Sequence, residues 1–368
     1  MSGIVRKGLD KIKNYTPGKP IEEVKRELGL SKVIKLASNE NPFPPSGKVI
    51  KALGQDLKRI NLYPDSRSFY LKEFLSKKLK IGKENLIFGN GSDELIVLAL
   101  RAFVERGEEV IVGWPTFLIY EIQARACGIK VVRSRLKDFR YDLKDILSKV
   151  TKKTKIIFIA NPDNPNGTYL KDKEIRSFLK QVPRNTLIFF DEAYSEFAPN
   201  DFPKSIKFLK AGSNIILTRT FSKVYGLAGL RIGYGVTKKS LVQAMDKVRE
   251  PFNVNRLAQT AALAALNDKV YLKRIVDYIK REKKFIYGSL DKLGIRYVKS
   301  ATNFVLIDSG NLSAKEAFNK LLRKGVIVRE MSSWGMDNFI RVTVGKREEN
   351  RFFLKALKNV LKGDSPLF

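Results

Sequence analysis

Not one of the 368 residues is histidine. That absence removes Ser-His-Asp and Cys-His catalysis, histidine-ligated zinc and imidazole acid–base chemistry. If the chain is an enzyme, its proton carrier is Lys, Asp, Glu, Tyr or a cofactor. Cysteine is almost as scarce: Cys127 stands alone, so no disulfide forms within the chain. No metal site is expected from such a residue set. Long apolar runs are also missing. Segments 156–160 and 187–190 are far too short to span a bilayer. No apolar leader follows Met1-Ser-Gly-Ile-Val-Arg6. The expectation is a soluble, cytoplasmic protein with no membrane contact.

Acidic residues are in deficit: 38 Asp and Glu against 70 Lys and Arg leave a net charge of +32. Such an excess can mark a nucleic-acid binder. Here, however, the basic residues are spread along the whole chain, as at Lys72, Lys77, Lys78 and Lys80 and again at Lys280, Arg281, Lys283 and Lys284. They sit at helical spacing beside apolar residues, the pattern of a solvated helix face. A generally basic surface is therefore favoured over a nucleic-acid groove, and the same charge can steer anionic substrates.

What is present is enough for a large core, with 43% hydrophobic and 10% aromatic residues. From about 86 to 235, short apolar runs (86–88, 109–112, 130–132, 155–159, 187–190, 214–218 and 232–236) alternate with amphipathic stretches at 93–104, 118–126 and 174–180. That alternation predicts an α/β architecture with a mainly parallel sheet covered by helices. Beyond Lys238 the pattern changes. A long helical region at 258–293 precedes a strand at 303–307, a helix at 314–324, strands at 326–329 and 339–344, and a last helix. The reading is an N-terminal arm (1–40, with an amphipathic segment at 21–30), a large unit (41–250) and a smaller α+β unit (251–368) that the arm packs against.

Four motifs fall at predicted strand ends, where ligands bind in open α/β sheets. Gly89-Asn-Gly-Ser-Asp-Glu94 opens a helix and can cradle an anion, or be an ordinary N-cap. Asn161-Pro-Asp-Asn-Pro-Asn-Gly167 is a rigid turn that can aim Asn164 at a ligand; taken alone, an ordinary loop explains it better. Asp191-Glu-Ala-Tyr194 puts a carboxylate at the end of a buried strand, where it needs a cation, several donors or a capping role. Thr220-Phe-Ser-Lys223, followed by Gly229-Leu-Arg231, offers an amine, two hydroxyls and a guanidinium. A surface lysine before a glycine-rich turn explains that motif equally well by itself.

Taken together and in this order, the four motifs resemble the fold-type-I pyridoxal-phosphate enzymes, specifically the class II aminotransferase branch. Within that branch the chain is similar to the histidinol-phosphate aminotransferases. The likeness extends to Tyr15-Thr-Pro-Gly-Lys-Pro20, Ile34-Lys-Leu-Ala-Ser-Asn-Glu-Asn-Pro42, Tyr63-Pro-Asp65, Gly325-Val-Ile-Val-Arg329 and Ile340-Arg-Val-Thr-Val-Gly345, nearly the whole chain. The resemblance implies pyridoxal 5′-phosphate as cofactor, with Lys223 as its covalent anchor and proton shuttle. It implies Asp191 on the pyridine nitrogen, Asn164 and Tyr194 on the phenolic oxygen and Phe117 stacked on the ring, where the family often has Tyr. Thr220, Ser222, Arg231, Ser92 and Asp93 would hold the phosphate, with Tyr63 reaching it from a partner subunit of a homodimer. Arg341 would clamp the substrate carboxylate or its equivalent, and Arg329 and Tyr15 would touch the substrate's own phosphate. Asn14 precedes Tyr15 where the family often has Pro.

The implied reaction is histidinol phosphate plus 2-oxoglutarate giving imidazole-acetol phosphate plus glutamate. Two alternatives share the fold and cofactor: an aromatic amino acid aminotransferase and a lyase similar to threonine-phosphate decarboxylase. A third, a non-enzymatic binder using the positive charge, leaves the cofactor motifs without a purpose.

Overall fold

The computed structural model describes residues 4–6 and 8–362. The parts of the expected arm and C-terminal unit at residues 1–3, 7 and 363–368 lie outside the described residues. The strands, in chain order, are β1 (Ile34–Lys35), β2 (Leu86–Gly89), β3 (Glu109–Trp114), β4 (Lys130–Lys137), β5 (Arg140–Tyr141), β6 (Thr154–Ala160) and β7 (Leu187–Asp191). They continue with β8 (Ile215–Thr220), β9 (Gly233–Val236), β10 (Tyr297–Val298), β11 (Phe304–Asp308), β12 (Val326–Ile327), β13 (Arg329–Glu330) and β14 (Phe339–Thr343).

An eight-stranded sheet, ordered β2-β9-β8-β7-β6-β3-β4-β5, forms the larger body. β8, β7, β6, β3 and β4 run parallel, while β9 and β5 lie antiparallel to β8 and β4. Every residue of β7 is buried, as is nearly all of β6, which is why both read as continuous apolar runs rather than alternations. Their side chains still alternate between faces. Ile157, Ile159, Ile188 and Phe190 join one core, and Ile156, Phe158, Leu187 and Phe189 the other. Helices such as Ser92–Phe103 and Ile119–Ala126 cover the second face. The sheet is therefore a mainly parallel layer between two apolar packings, as expected.

A four-stranded antiparallel sheet, β10-β11-β14-β13, follows later in the chain, with Arg329 directly opposite Arg341 in register. The C-terminal part of the arm joins this region. β1 pairs in parallel with β12, and Ile34 N donates to Gly325 O at 2.8 Å.

Several expected boundaries differ, each for a local reason. The helical region at 258–293 is two helices, Arg256–Leu266 and Lys269–Leu293, because the Asp268 side chain accepts from Tyr271 N and starts a new helix. The strand at 326–329 divides at Val328, with β12 pairing to β1 and β13 to β14. Helices at Gly47–Asp56, Phe69–Leu79, Leu143–Ser148, Ile206–Lys210 and Lys239–Asp246 were not read from the sequence.

Candidate active site

β2, β3, β6, β7 and β8 all end at one edge of the large sheet, and the loops that follow them surround a cavity of about 480 Å³. Twelve of the fourteen residues singled out from the sequence line it: Tyr15, Ser92, Asp93, Phe117, Asn164, Asp191, Tyr194, Thr220, Ser222, Lys223, Arg231 and Arg341.

One corner is built for an anion. The helix Ser92–Phe103 points its N-terminus into it, and its first N–H groups have no partner within the helix. Thr220 Oγ1 lies 3.0 Å from Ser222 Oγ, so two hydroxyls stand together. Arg231 donates from Nη2 to Asp93 at 3.2 Å. Its backbone is left-handed, at φ 52°, a conformation that non-glycine residues adopt at a cost of about 1–3 kcal/mol when surroundings enforce it. Two glycines keep the corner open. A Cβ on Gly233 would sit 2.6 Å from Ser92 N, and one on Gly91 2.8 Å from Arg231 Nη2. A phosphate fits this donor set of backbone N–H, hydroxyl and guanidinium groups.

Asp191, the last residue of β7, faces the opposite end. Its Oδ2 accepts from Tyr120 OH at 2.7 Å and its Oδ1 from Ala193 N at 3.1 Å. Burial pushes the Asp191 carboxyl up to about 6, opposed by the Tyr120 hydrogen bond. A positive charge beside it would relieve that penalty, so the carboxyl suits a protonated heterocycle. Phe117 packs edge-on against Tyr120, their ring centroids 5.5 Å apart, and presents an apolar ring to the cavity.

Lys223 lies between these ends. Its Nζ is 3.5 Å from Ser38 O and 5.7 Å from the Tyr194 ring centroid. Burial brings the amine down to about 8 and the Arg341 charge pushes the same way, while Asp93 and Glu40 act against them. A lysine so depressed becomes a neutral amine only a little above physiological pH, well before an ordinary lysine does. Tyr194 OH accepts from Asn39 Nδ2 at 2.8 Å, and burial pushes its phenol up. Arg341 donates to Asn164 Oδ1 and, at 2.9 Å, to Ala37 O, and its buried Nε has no partner among the described residues.

Two singled-out residues are not in the cavity wall. Tyr63 is 78% exposed and stacks on Phe252, with ring centroids 4.6 Å apart. Arg329 lies behind Tyr15, its Cζ 5.2 Å from that ring's centroid.

Other wall or supporting residues were given no role by the sequence reading: Tyr120, Asp163, and Ser38, Asn39 and Glu40 within the 34–42 segment of the likeness. Asp163 anchors the turn that carries Asn164. It accepts from Thr116 Oγ1 at 2.6 Å and from Tyr141 OH at 3.2 Å, and burial pushes it up to about 6. Its place inside the Asn-Pro-Asp-Asn-Pro motif was the one available signal. Among the described residues, no group of three or more Cys, Asp or Glu could hold a metal ion, and no helix is long and apolar enough to cross a membrane.

Residues 31–357 match the family described as aminotransferase class I and II. The histidinol-phosphate aminotransferase of Moorella thermoacetica is 44% identical over 358 residues, which is 97% of this chain and 92% of that protein. Histidinol-phosphate aminotransferase 2 of Carboxydothermus hydrogenoformans is 44% identical, covering 98% of this chain and 99% of its own length. Among solved structures, the histidinol-phosphate aminotransferase of Sinorhizobium meliloti in complex with pyridoxal-5′-phosphate superposes with a TM-score of 0.90 at 30% identity, over 99% of both chains. The aspartate aminotransferase of Thermus thermophilus, at 21% identity and a TM-score of 0.85, shares the fold.

Proposed function

The chain belongs to the class I and II aminotransferases, and on that premise we propose that its cavity binds pyridoxal 5′-phosphate and exchanges the amino group of histidinol phosphate with 2-oxoglutarate. One observation carries the reading. A buried, depressed amine at Lys223, a buried carboxyl at Asp191 and an anion corner at Ser92, Thr220 and Arg231 converge in a single cavity. These three groups match the aldehyde, the ring nitrogen and the phosphate of that cofactor.

When bound, the cofactor supplies a carbonyl carbon that exchanges amines and a protonated ring that takes up an electron pair. The chain's residues do the rest. Arg231, Thr220, Ser222 and the backbone at Ser92 and Asp93 hold the phosphate. Asp191 would keep the ring nitrogen protonated, Phe117 would pack on the ring face, and Asn164 and Tyr194 would donate to its phenolic oxygen. Lys223 Nζ anchors the cofactor at rest and takes the proton from the substrate's Cα. Arg341 orients the substrate through its carboxylate or the equivalent group, and Arg329 and Tyr15 serve the phosphorylated end.

The names of the relatives favour histidinol phosphate over an aromatic amino acid, and transamination over a lyase similar to threonine-phosphate decarboxylase. We further propose a cytoplasmic homodimer, divided into the arm (1–40), the large unit (41–250) and the small unit (251–368). What supports the dimer is the exposed apolar surface at Ile60, Leu62, Tyr63, Phe69, Tyr70 and Phe252, which a second copy would cover.

The test is to incubate the purified, cofactor-loaded protein with histidinol phosphate and 2-oxoglutarate and to measure glutamate formation. Preferred turnover of phenylalanine or tyrosine would replace the substrate assignment. Release of carbon dioxide from a phosphorylated amino acid would replace the reaction.

A further inference from the structure

Arg329 is a buried cation whose Nε has no hydrogen-bond partner among the described residues. Its Nη1 donates to Thr16 O at 2.5 Å. Two rings approach the guanidinium, with centroids at 5.2 Å for Tyr15 and 4.9 Å for Trp334. Tyr15 is substantially exposed and belongs to the arm, whereas Trp334 is 2% exposed and sits in a short turn between β13 and β14. The fixed side of the Arg329 environment is therefore Trp334.

The same indole reaches the large sheet. Its Nε1 donates to Thr116 O at 2.8 Å. Thr116 immediately precedes Phe117, and its hydroxyl donates to Asp163 in the turn that carries Asn164. Leu118, on the other side of Phe117, packs with Trp334, Met331 and Met336 in one apolar cluster. One side chain thus touches both the arginine on the four-stranded sheet and the turn bearing the aromatic face of the cavity.

We propose that Trp334 is a positioning residue for substrate choice: its ring holds the Arg329 guanidinium, and its N–H ties that guanidinium to the Phe117 turn. The proposal rests on the reading that the substrate carries a phosphate. An arginine held by π faces keeps its N–H groups available, because rings occupy no N–H donor. The consequence is selective. Losing Trp334 loosens the grip on the phosphorylated end and leaves the amine, which reacts beside Lys223, largely alone.

The test compares Trp334→Leu and Trp334→Phe, using histidinol phosphate and unphosphorylated histidinol as paired substrates. Trp334→Leu removes both the ring and the N–H. It is expected to raise KM for histidinol phosphate roughly tenfold or more, as for one desolvated cation–π contact. Its kcat is expected to stay within about threefold and KM for histidinol to hardly move. Trp334→Phe keeps a ring beside Arg329, so it should recover most of that KM. A second measurement needs no folded Trp334 variant. With Trp114→Phe as background, the remaining tryptophan's emission should respond to added inorganic phosphate, and Arg329→Ala should abolish the response. Equal losses on both substrates, or an emission response that survives Arg329→Ala, overturn the proposal while leaving the substrate assignment intact. A wild-type protein indifferent to the phosphate overturns both.

Discussion

Tyr120 donates its phenol hydrogen to Asp191 Oδ2 at 2.7 Å, with both groups buried. Burial and the neighbouring carboxylate raise the Tyr120 phenol well above its usual value, so it remains a donor at every working pH. The Tyr120 ring stacks on Phe158 at 5.0 Å, so Tyr120→Phe should remove the hydroxyl without disturbing the packing. Asp191 then loses one of its two donors and rises further above 6. A hydrogen bond to a charged group is worth about 1.5–3 kcal/mol. The expected result is a roughly ten- to hundredfold fall in kcat/KM with faster loss of cofactor on dialysis. Unchanged values for both would show that Ala193 N alone secures the carboxylate.

Lys223 makes a pH-dependent expectation with a definite sign. Its amine falls to about 8 in the fold, so it is protonated and unreactive below that pH and neutral above it. The rate at which apoprotein captures the cofactor covalently should therefore rise with pH and level off above about 8. No histidine can contribute to that limb. Arg341 pushes the amine down and Glu40 pulls it up. Arg341→Gln should accordingly move the limb to higher pH, and Glu40→Gln to lower pH. Borohydride trapping followed by peptide mapping should label Lys223, and a label on any other lysine refutes the assignment.

The strands were legible because burial on both faces leaves a continuous apolar run, as in β6 and β7. The cavity was legible because its residues sit at strand ends, within motifs a few residues long. What escaped depends on distant partners. Tyr120 and Asp191 are 71 residues apart, and no local pattern announces their bond. Tyr120 reads locally as one more apolar position on a helix. Arg329 was expected at the site, but its place behind Tyr15 follows from the path of the arm, which sequence spacing does not encode. The short helices Leu143–Ser148 and Ile206–Lys210 span fewer than two turns, too little for a 3.6-residue period to show.

Gly91 tests the anion corner without touching a charged group. Its φ is +78°, and a Cβ there would meet Arg231 Nη2 at 2.8 Å. Gly91→Ala would force a side chain onto a backbone at φ 78° and ψ 173°, a region essentially reserved for glycine, at a strain of about 1–3 kcal/mol, and it displaces the arginine from the corner. The melting temperature of the apoprotein should fall by several degrees, and cofactor affinity should fall by more than that strain alone explains. A variant that keeps wild-type affinity would show that Arg231 does not hold the phosphate.

Tyr63 tests the shared site. It is 78% exposed and does not line its own cavity, so its expected contribution is to a second copy. Tyr63→Ala and Lys223→Ala should each be severely impaired alone. After free subunit exchange, half of the dimers are mixed and each mixed dimer holds one intact site, so about a quarter of all sites regain function. Exchange without recovery would place Tyr63 outside the site.

Arg329 decides which substrates the cavity prefers. It faces Arg341 across the β13–β14 pairing, so two guanidinium groups stand side by side on one strand pair. That arrangement is costly unless a dianion is expected between or beside them, because like charges repel in a buried setting. The repulsion is visible in Arg341: burial brings it down to about 10, and the Arg329 charge pushes it the same way. A substrate phosphate would relieve both charges. Arg329→Ala is therefore expected to weaken kcat/KM for histidinol phosphate by ~2–4 kcal/mol, the range for truncating one partner of a buried charged pair. Unphosphorylated amines should lose much less. Tyr15→Ala should cost far less than Arg329→Ala on the phosphorylated substrate, since it exposes the guanidinium without removing it. Equal losses for Arg329→Ala on both kinds of substrate would mean that this arginine serves the fold and not the phosphate.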